Sequence, residues 1–174
     1  RHGAVRGARG AWCETMGCQV AREVVRPFAA PARPEARMDL IVRAPKIATP
    51  FYIDVTIVSA TSREALASGA AIRDGAAAAI AARRKVADYP QCQVTPFVIE
   101  DHGRFGEDAL RLIRTLAPSE PSARSKTIRG LHQSLGAVVQ RYSADAVISA
   151  TTVRPTNIRS SAATVSNAPN AMHV

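Results

Sequence analysis

Apolar residues recur along the chain at two spacings, one helical and one alternating. Val5, Ala8, Ala11, Trp12 and Met16 share one face of a helix over residues 2–17, which Gly17 ends. Gln19 to Arg26 alternates and then turns apolar at Val24 and Val25, which predicts a strand, and Pro27, Pro31 and Pro34 predict a loop after it. Arg37 to Ala44 (RMDLIVRA) reads as a second strand and Pro45 to Pro50 as a turn. Phe51 to Ser59 (FYIDVTIVS) carries the strongest strand signal, and its near-continuous apolar run fits a central strand buried on both faces. Ser62 to Tyr89 is helical in pattern, with Ser62 as its cap and with Gly69 and Gly75 as the places where it would break in two. Gln93 to Glu100 (QVTPFVIE) is a further strand, and Pro96 within it calls for an edge position or a bulge. Gly106 to Leu116 is amphipathic, with Ala109, Leu110, Leu112, Ile113 and Leu116 turned inward. Pro118 to Pro121 forms a linker to a long helix over Ala123 to Ile148, whose apolar face carries Ile128, Leu131, Leu135, Val138, Val139 and Tyr142. The residues after Thr152 are small and polar and are expected to form a disordered tail.

The predicted order is helix, three strands, helix, strand and two helices, a small α/β layer architecture without internal repeats. A chain of 174 residues has the size of one domain and can bury a core without disulfides. Aromatic residues are only 5%, so Val, Ile, Leu and Ala must fill that core.

Charge changes the picture from fold to partner. The formal net charge is +9, and of the 23 basic residues only Lys46, Lys85 and Lys126 are Lys. Arg presents a planar fork that suits phosphate, so a polyanion is expected, nucleic acid first. A genome-wide bias toward Ala, Arg, Gly and Pro is the alternative source of the same charge. Cys13, Cys18 and Cys92 are odd in number and lack a second pair at zinc spacing, so they read as structural thiols. No apolar run reaches membrane-spanning length, so no membrane partner is expected. The chain starts at Arg1 without an apolar signal core, which reads as a piece of a longer, non-secreted protein that is nuclear or intracellular.

Asp39 and Asp54 are the sharpest chemical signal. Each interrupts an apolar strand pattern, where a carboxylate is costly unless paired or metal-bound, and only 14 residues separate them. On paired strands the two would hold a hard divalent cation that polarises a phosphodiester and acidifies a bound water. The alternative is that each pairs with an Arg such as Arg37 or Arg43. Glu100, Asp101 and His102 read as a solvated turn, and His2 and His132 as incidental. Ser59, Ser62 and His102 form no recognisable triad, and Gly103 to Gly106 lacks the spacing and Lys of a phosphate loop.

RMDLIV, nine residues, YIDVTIV, a helix closing in RRKVADY, and QVTPFVIE together resemble the restriction-like endonuclease domain of site-specific non-LTR retrotransposon proteins. That domain belongs to the PD-(D/E)XK superfamily, and the likeness covers about residues 1–117. It implies an αβββαβ core of restriction-endonuclease type, here with two additional C-terminal helices: a nuclease core over 1–117, a helical extension over 118–152 and a tail over 153–174. It further implies Mg²⁺ (or Mn²⁺) on Asp39 and Asp54, with Glu23 as an outer acidic ligand. Thr56 stands where the wider superfamily has its Lys. In the retrotransposon branch that Lys lies on the following helix, where Lys85 matches it, with Tyr89 one turn on. Met38 replaces the Pro of the motif. Arg83, Arg84 and Arg104 are the expected contacts to the DNA backbone, with Arg111, Arg114, Arg124 and Arg129 as further phosphate contacts.

Three functions follow as expectations: an endonuclease nicking target DNA for retrotransposon integration, with element RNA reached through the parent protein; a catalytically decayed nuclease-like module that only binds nucleic acid; or a basic structural module of an unrelated α/β protein.

Overall fold

A computed structural model of the chain describes residues 2–25, 37–90 and 92–152. Within them α1 (His2–Thr15) leads into three antiparallel strands, β1 (Gln19–Val25), β2 (Arg37–Arg43) and β3 (Phe51–Val58). Two helices, α2 (Arg63–Ala67) and α3 (Ala76–Asp88), then carry the chain across to β4 (Val94–Glu100), and α4 (Glu107–Leu116) and α5 (Pro121–Thr152) follow. The expected Pro27–Pro34 loop and the tail after Thr152 lie outside the described residues.

The sheet order is β1-β2-β3-β4, with β3 and β4 parallel. A parallel pair needs a crossover, and α2 and α3 supply it. β3 is therefore interior, as its apolar run requires. β4 lies at an edge, which tolerates the missing N–H of Pro96.

The helical stretch over 62–89 is two helices rather than one. Gly69 and Gly75 take left-handed φ of 86° and 72° on either side of a turn segment, a conformation costly for residues with a Cβ. The Ser62 hydroxyl accepts the Ala65 N–H and caps α2, as its position before the apolar pattern predicts. The last helix starts two residues earlier than its pattern suggests. Pro121 occupies its first turn, where a missing N–H costs nothing, and the Glu120 carboxylate accepts the Ser122 and Ala123 N–H groups.

Strand alternation divides the sheet into two faces. Leu40, Val42, Ile53, Val55, Phe97 and Ile99 face α1, α4 and α5, where Val5, Leu112, Ile113, Leu131, Leu135 and Val139 complete one cluster. Burying each of these side chains contributes about 1.5–3 kcal/mol. Because α5 supplies part of that cluster, the sheet with α1 and α4 and the C-terminal helix share one core. The other face, with Asp39, Ile41, Asp54 and Thr56, is covered at β3 and β4 by α3.

The face predicted for α1 needs a correction. Ala11 is exposed, whereas Arg9 and Cys13 are fully buried. The Arg9 guanidinium lies 3.3 Å from the Phe97 ring centroid, a cation–π contact that an apolar pattern does not anticipate. Burial pulls its pKa down to about 10, against the opposing influence of the Cys13 thiol. Apart from the weakly accepting Cys13 thiol, its three nitrogens have no hydrogen-bond partner among the described residues. A buried cation without a carboxylate costs more than an apolar side chain of like volume. Arg9→Met is thus expected to stabilise the protein by about 1–3 kcal/mol, read from the urea midpoint; a destabilised variant would mean the ring contact outweighs desolvation.

His132 on α5 stacks on Phe105 with ring centroids 4.5 Å apart. Its Nε2 is buried without a partner among the described residues, and burial lowers its pKa below the ordinary 6.5. A depressed folded value means that the unfolded chain binds the proton first. The stability from neutral His132 is thus present above pH 6.5 and is lost as pH falls below it, through the folded value. Substituting His132→Phe is expected to flatten that part of the acid limb in a stability-against-pH series, and an unchanged limb would assign it to other groups.

Candidate functional site

Antiparallel pairing of β2 with β3 runs through Val42–Phe51, Ile41–Tyr52 and Leu40–Ile53, and the ladder stops there. Asp39 and Asp54 stand across from each other at the next position. The strands part at this point, and the Asp39 Oδ2 accepts the Val55 N–H at 2.7 Å in place of a strand carbonyl. A carboxylate accepting a backbone N–H in this way is held in one orientation by a charge-assisted bond.

Asp54 is buried near the middle of the sheet at 5% exposure. Its charge is met by Lys85, whose Nζ lies 3.0 Å from Oδ1 and 3.1 Å from Oδ2. Thr56, two residues on along the same face, donates its hydroxyl to Asp54 Oδ1 at 3.4 Å. Burial pulls the Lys85 pKa down, but its hydrogen bond to Asp54 and that group's charge outweigh burial and raise it above the ordinary 10.5. Lys85 is thus a cation at neutral pH. Among the described residues Lys85 reaches Asp54 and Arg6 reaches Asp39, so an Arg faces one of the two carboxylates, as the alternative allowed, and a Lys the other.

The run of small residues in α3 makes this reach possible. Ala77 and Ala78 are buried against the sheet, so the helix sits close and a Lys near its C-terminal end spans the gap to β3. The Tyr89 hydroxyl, at the C-terminal cap, donates to the Arg37 carbonyl at 3.2 Å and ties the end of α3 to the start of β2. Lys85 and Tyr89, spaced one turn apart, therefore meet two neighbouring strands.

Glu23 occupies the same sheet level on β1. Arg22 pairs with Leu40 and Val24 with Met38, and Glu23 between them leaves the ladder with a left-handed φ of 51°. Such backbone is uncommon for a residue with a long side chain. Its carboxylate meets Arg6 Nη1 at 2.6 Å, and the same nitrogen stands 3.8 Å from Asp39 Oδ1. Sequence reasoning missed Arg6. It sits among other arginines in α1, and nothing in its spacing separates it from Arg9, which points into the core.

The expected backbone-contact residues are not brought together with the acids. Arg84 pairs with Glu64 across the α2–α3 turn. Arg104 pairs with Asp74 at 2.8 Å and stands 4.0 Å from Glu100. Arg83 lines a groove of about 720 Å³ between α3 and α4 that also carries Asp74, Glu107 and Asp108. Glu100 corrects the expectation of a solvated turn: it is 2% exposed and its Oε1 accepts the Ala78 N–H at 3.1 Å. A carboxylate in the first turn of α3 satisfies an N–H that Gly75, lacking a side chain, leaves uncapped.

Among the described residues no three His, Cys, Asp or Glu side chains gather closely enough to hold a metal ion. The donor set at β2 and β3 is two hard carboxylates. That suits Mg²⁺, which takes one or two carboxylates and keeps several waters, and does not suit a soft ion needing a full protein cage. No helix among the described residues is long and apolar enough to cross a membrane. In comparison with known proteins, no family model matches the chain and no curated protein matches it.

Lys85→Met would leave the Asp54 carboxylate buried with its main counter-charge gone. The variant is expected to lose about 1–3 kcal/mol in metal-free solution, measured by urea denaturation in the presence of a chelator. Adding Asp54→Asn should recover most of that loss, because the pair is then removed together. Additive losses would show that the two side chains do not stabilise one another.

Proposed function

We propose that the chain is a metal-dependent DNA endonuclease domain with a restriction-endonuclease-like core, of the kind carried by site-specific non-LTR retrotransposon proteins, and that it nicks target DNA. The observation that carries this reading is the opening of the β2–β3 ladder between Asp39 and Asp54, with the Lys85 ammonium at 3.0 Å from Asp54. Two carboxylates and a cation are an economical set for phosphodiester hydrolysis. Asp39 and Asp54 would hold Mg²⁺ or Mn²⁺, which when bound polarises the phosphodiester and lowers the pKa of a coordinated water.

The chain's own groups have separate tasks in this reading. The Val55 N–H orients the Asp39 carboxylate, so that ligand does not have to be ordered on binding. Lys85 places a permanent positive charge where negative charge develops on the phosphate, and Tyr89 holds the end of α3 against β2. Glu23 is an outer acidic group, joined to Asp39 through Arg6. The net charge of +9 favours DNA as the partner and makes binding sensitive to salt. Element RNA would be met through the parent protein, and the setting would be nuclear or intracellular.

A second reading, a nuclease-like module that binds nucleic acid without cutting it, is favoured by one observation. Both carboxylates already face cations of the chain, Arg6 and Lys85, which offset charge that a metal would otherwise neutralise.

Plasmid nicking in Mg²⁺ separates the two. The wild type is expected to nick, with Asp39→Ala and Asp54→Ala each slower by at least about 100-fold while DNA binding, followed by its salt dependence, persists in both. A wild type no faster than Asp39→Ala would leave only the binding module.

A further inference from the structure

β1, β2 and β3 place Glu23, Asp39 and Asp54 in one row, each across from the next on the neighbouring strand, with strand pairing missing both between Glu23 and Asp39 and between Asp39 and Asp54. Like charges on facing positions repel, so the row requires cations. Lys85 serves Asp54. The other two acids share Arg6, but unequally: its Nη1 is 2.6 Å from Glu23, a hydrogen-bonded ion pair, and 3.8 Å from Asp39, beyond hydrogen-bond reach. Glu23 reaches Arg6 from its left-handed backbone, so local strain accompanies that ion pair.

We propose that Arg6, held by Glu23, is a positioning residue that sets the affinity of Asp39 for a divalent cation. Arg6 acts as a competing positive charge beside that carboxylate, and Glu23 determines how far it leans. This rests on the reading that Asp39 and Asp54 hold the ion. A divalent cation at Asp39 experiences the guanidinium as repulsion, and the repulsion is weakest while Glu23 retains it. Glu23 therefore favours metal binding through Arg6 and not as a ligand itself.

The test is calorimetric titration of the full chain with Mn²⁺, alongside circular dichroism to show that each variant is folded. Removing the competing charge in Arg6→Gln is expected to tighten binding about fivefold. Glu23→Gln is expected to weaken it, because Arg6 is left with Asp39 as its nearest carboxylate. In the Arg6→Gln background the Glu23→Gln loss should be smaller, leaving only the direct attraction of its charge for the ion. Asp39→Asn should abolish binding. An Arg6→Gln affinity equal to the wild type overturns the proposal, as does a Glu23→Gln loss as large without Arg6 as with it, which would mean that Glu23 does not act through Arg6. Absence of Mn²⁺ binding in both wild type and Arg6→Gln overturns the metal reading itself, and this inference with it.

Discussion

Burial of the Asp54 carboxylate in the interior strand is the constraint around which the rest is arranged. At 5% exposure it has lost most of its water, and an unpaired charge there is costly. The Lys85 ammonium offsets that cost only if the C-terminal end of α3 lies close to β3. Closeness in turn demands small residues on the helix underside, which is what Ala77 and Ala78 supply, and a break in the preceding helical stretch, which Gly69 and Gly75 allow. The parallel placement of β4 beyond β3 follows from the same crossover. One ion pair thus links strand order, helix composition and loop backbone.

The end of the β2–β3 ladder has a comparable role in the site. Continuing the pairing past Leu40–Ile53 would bring the Asp39 and Asp54 carboxylates into direct opposition with no cation between them. Parting of the strands relieves that repulsion, and the Asp39 carboxylate takes over the Val55 N–H that pairing would have satisfied. Glu23 repeats the pattern on β1, where the backbone leaves the ladder and the side chain finds Arg6. The break in the β1–β2 ladder and the end of the β2–β3 ladder therefore fall at the same level, that of the acids. The opposite face carries the packed core residues Leu40, Ile53, Val55 and Phe97.

Both ends of α3 are held by side-chain contacts to the sheet. Glu100 at the end of β4 receives the Ala78 N–H in the first turn, and Lys85 and Tyr89 reach β3 and β2 from the last. A helix rich in Ala has little side-chain area with which to anchor itself, so polar contacts at its two ends define where it lies. They also keep Lys85 at Asp54 without a large apolar interface.

Much of the fold was legible in the sequence because period-2 and period-3.6 patterns are local properties. The runs at Arg37–Arg43 and Phe51–Val58, the amphipathic face of Ala109, Leu112 and Ile113, and the edge position implied by Pro96 all follow from burial on one face or two. Asp39 and Asp54 stood out for the same reason, as polar residues in apolar runs. Three things were decided only by tertiary packing. Arg9 is buried on Phe97 because the α1 face is set by what it packs on, not by its own pattern. Glu100 is buried because a helix N-terminus distant in sequence arrives above it. Arg6 joins Glu23 to Asp39, and Lys85 finds Asp54, through contacts between residues 17 or more positions apart. The sequence by itself determined which segments are helix or strand and which acids are costly, since those depend on neighbours along the chain. Which cation answers which acid depends on distances across the sheet and between layers, and only the assembled structure sets them.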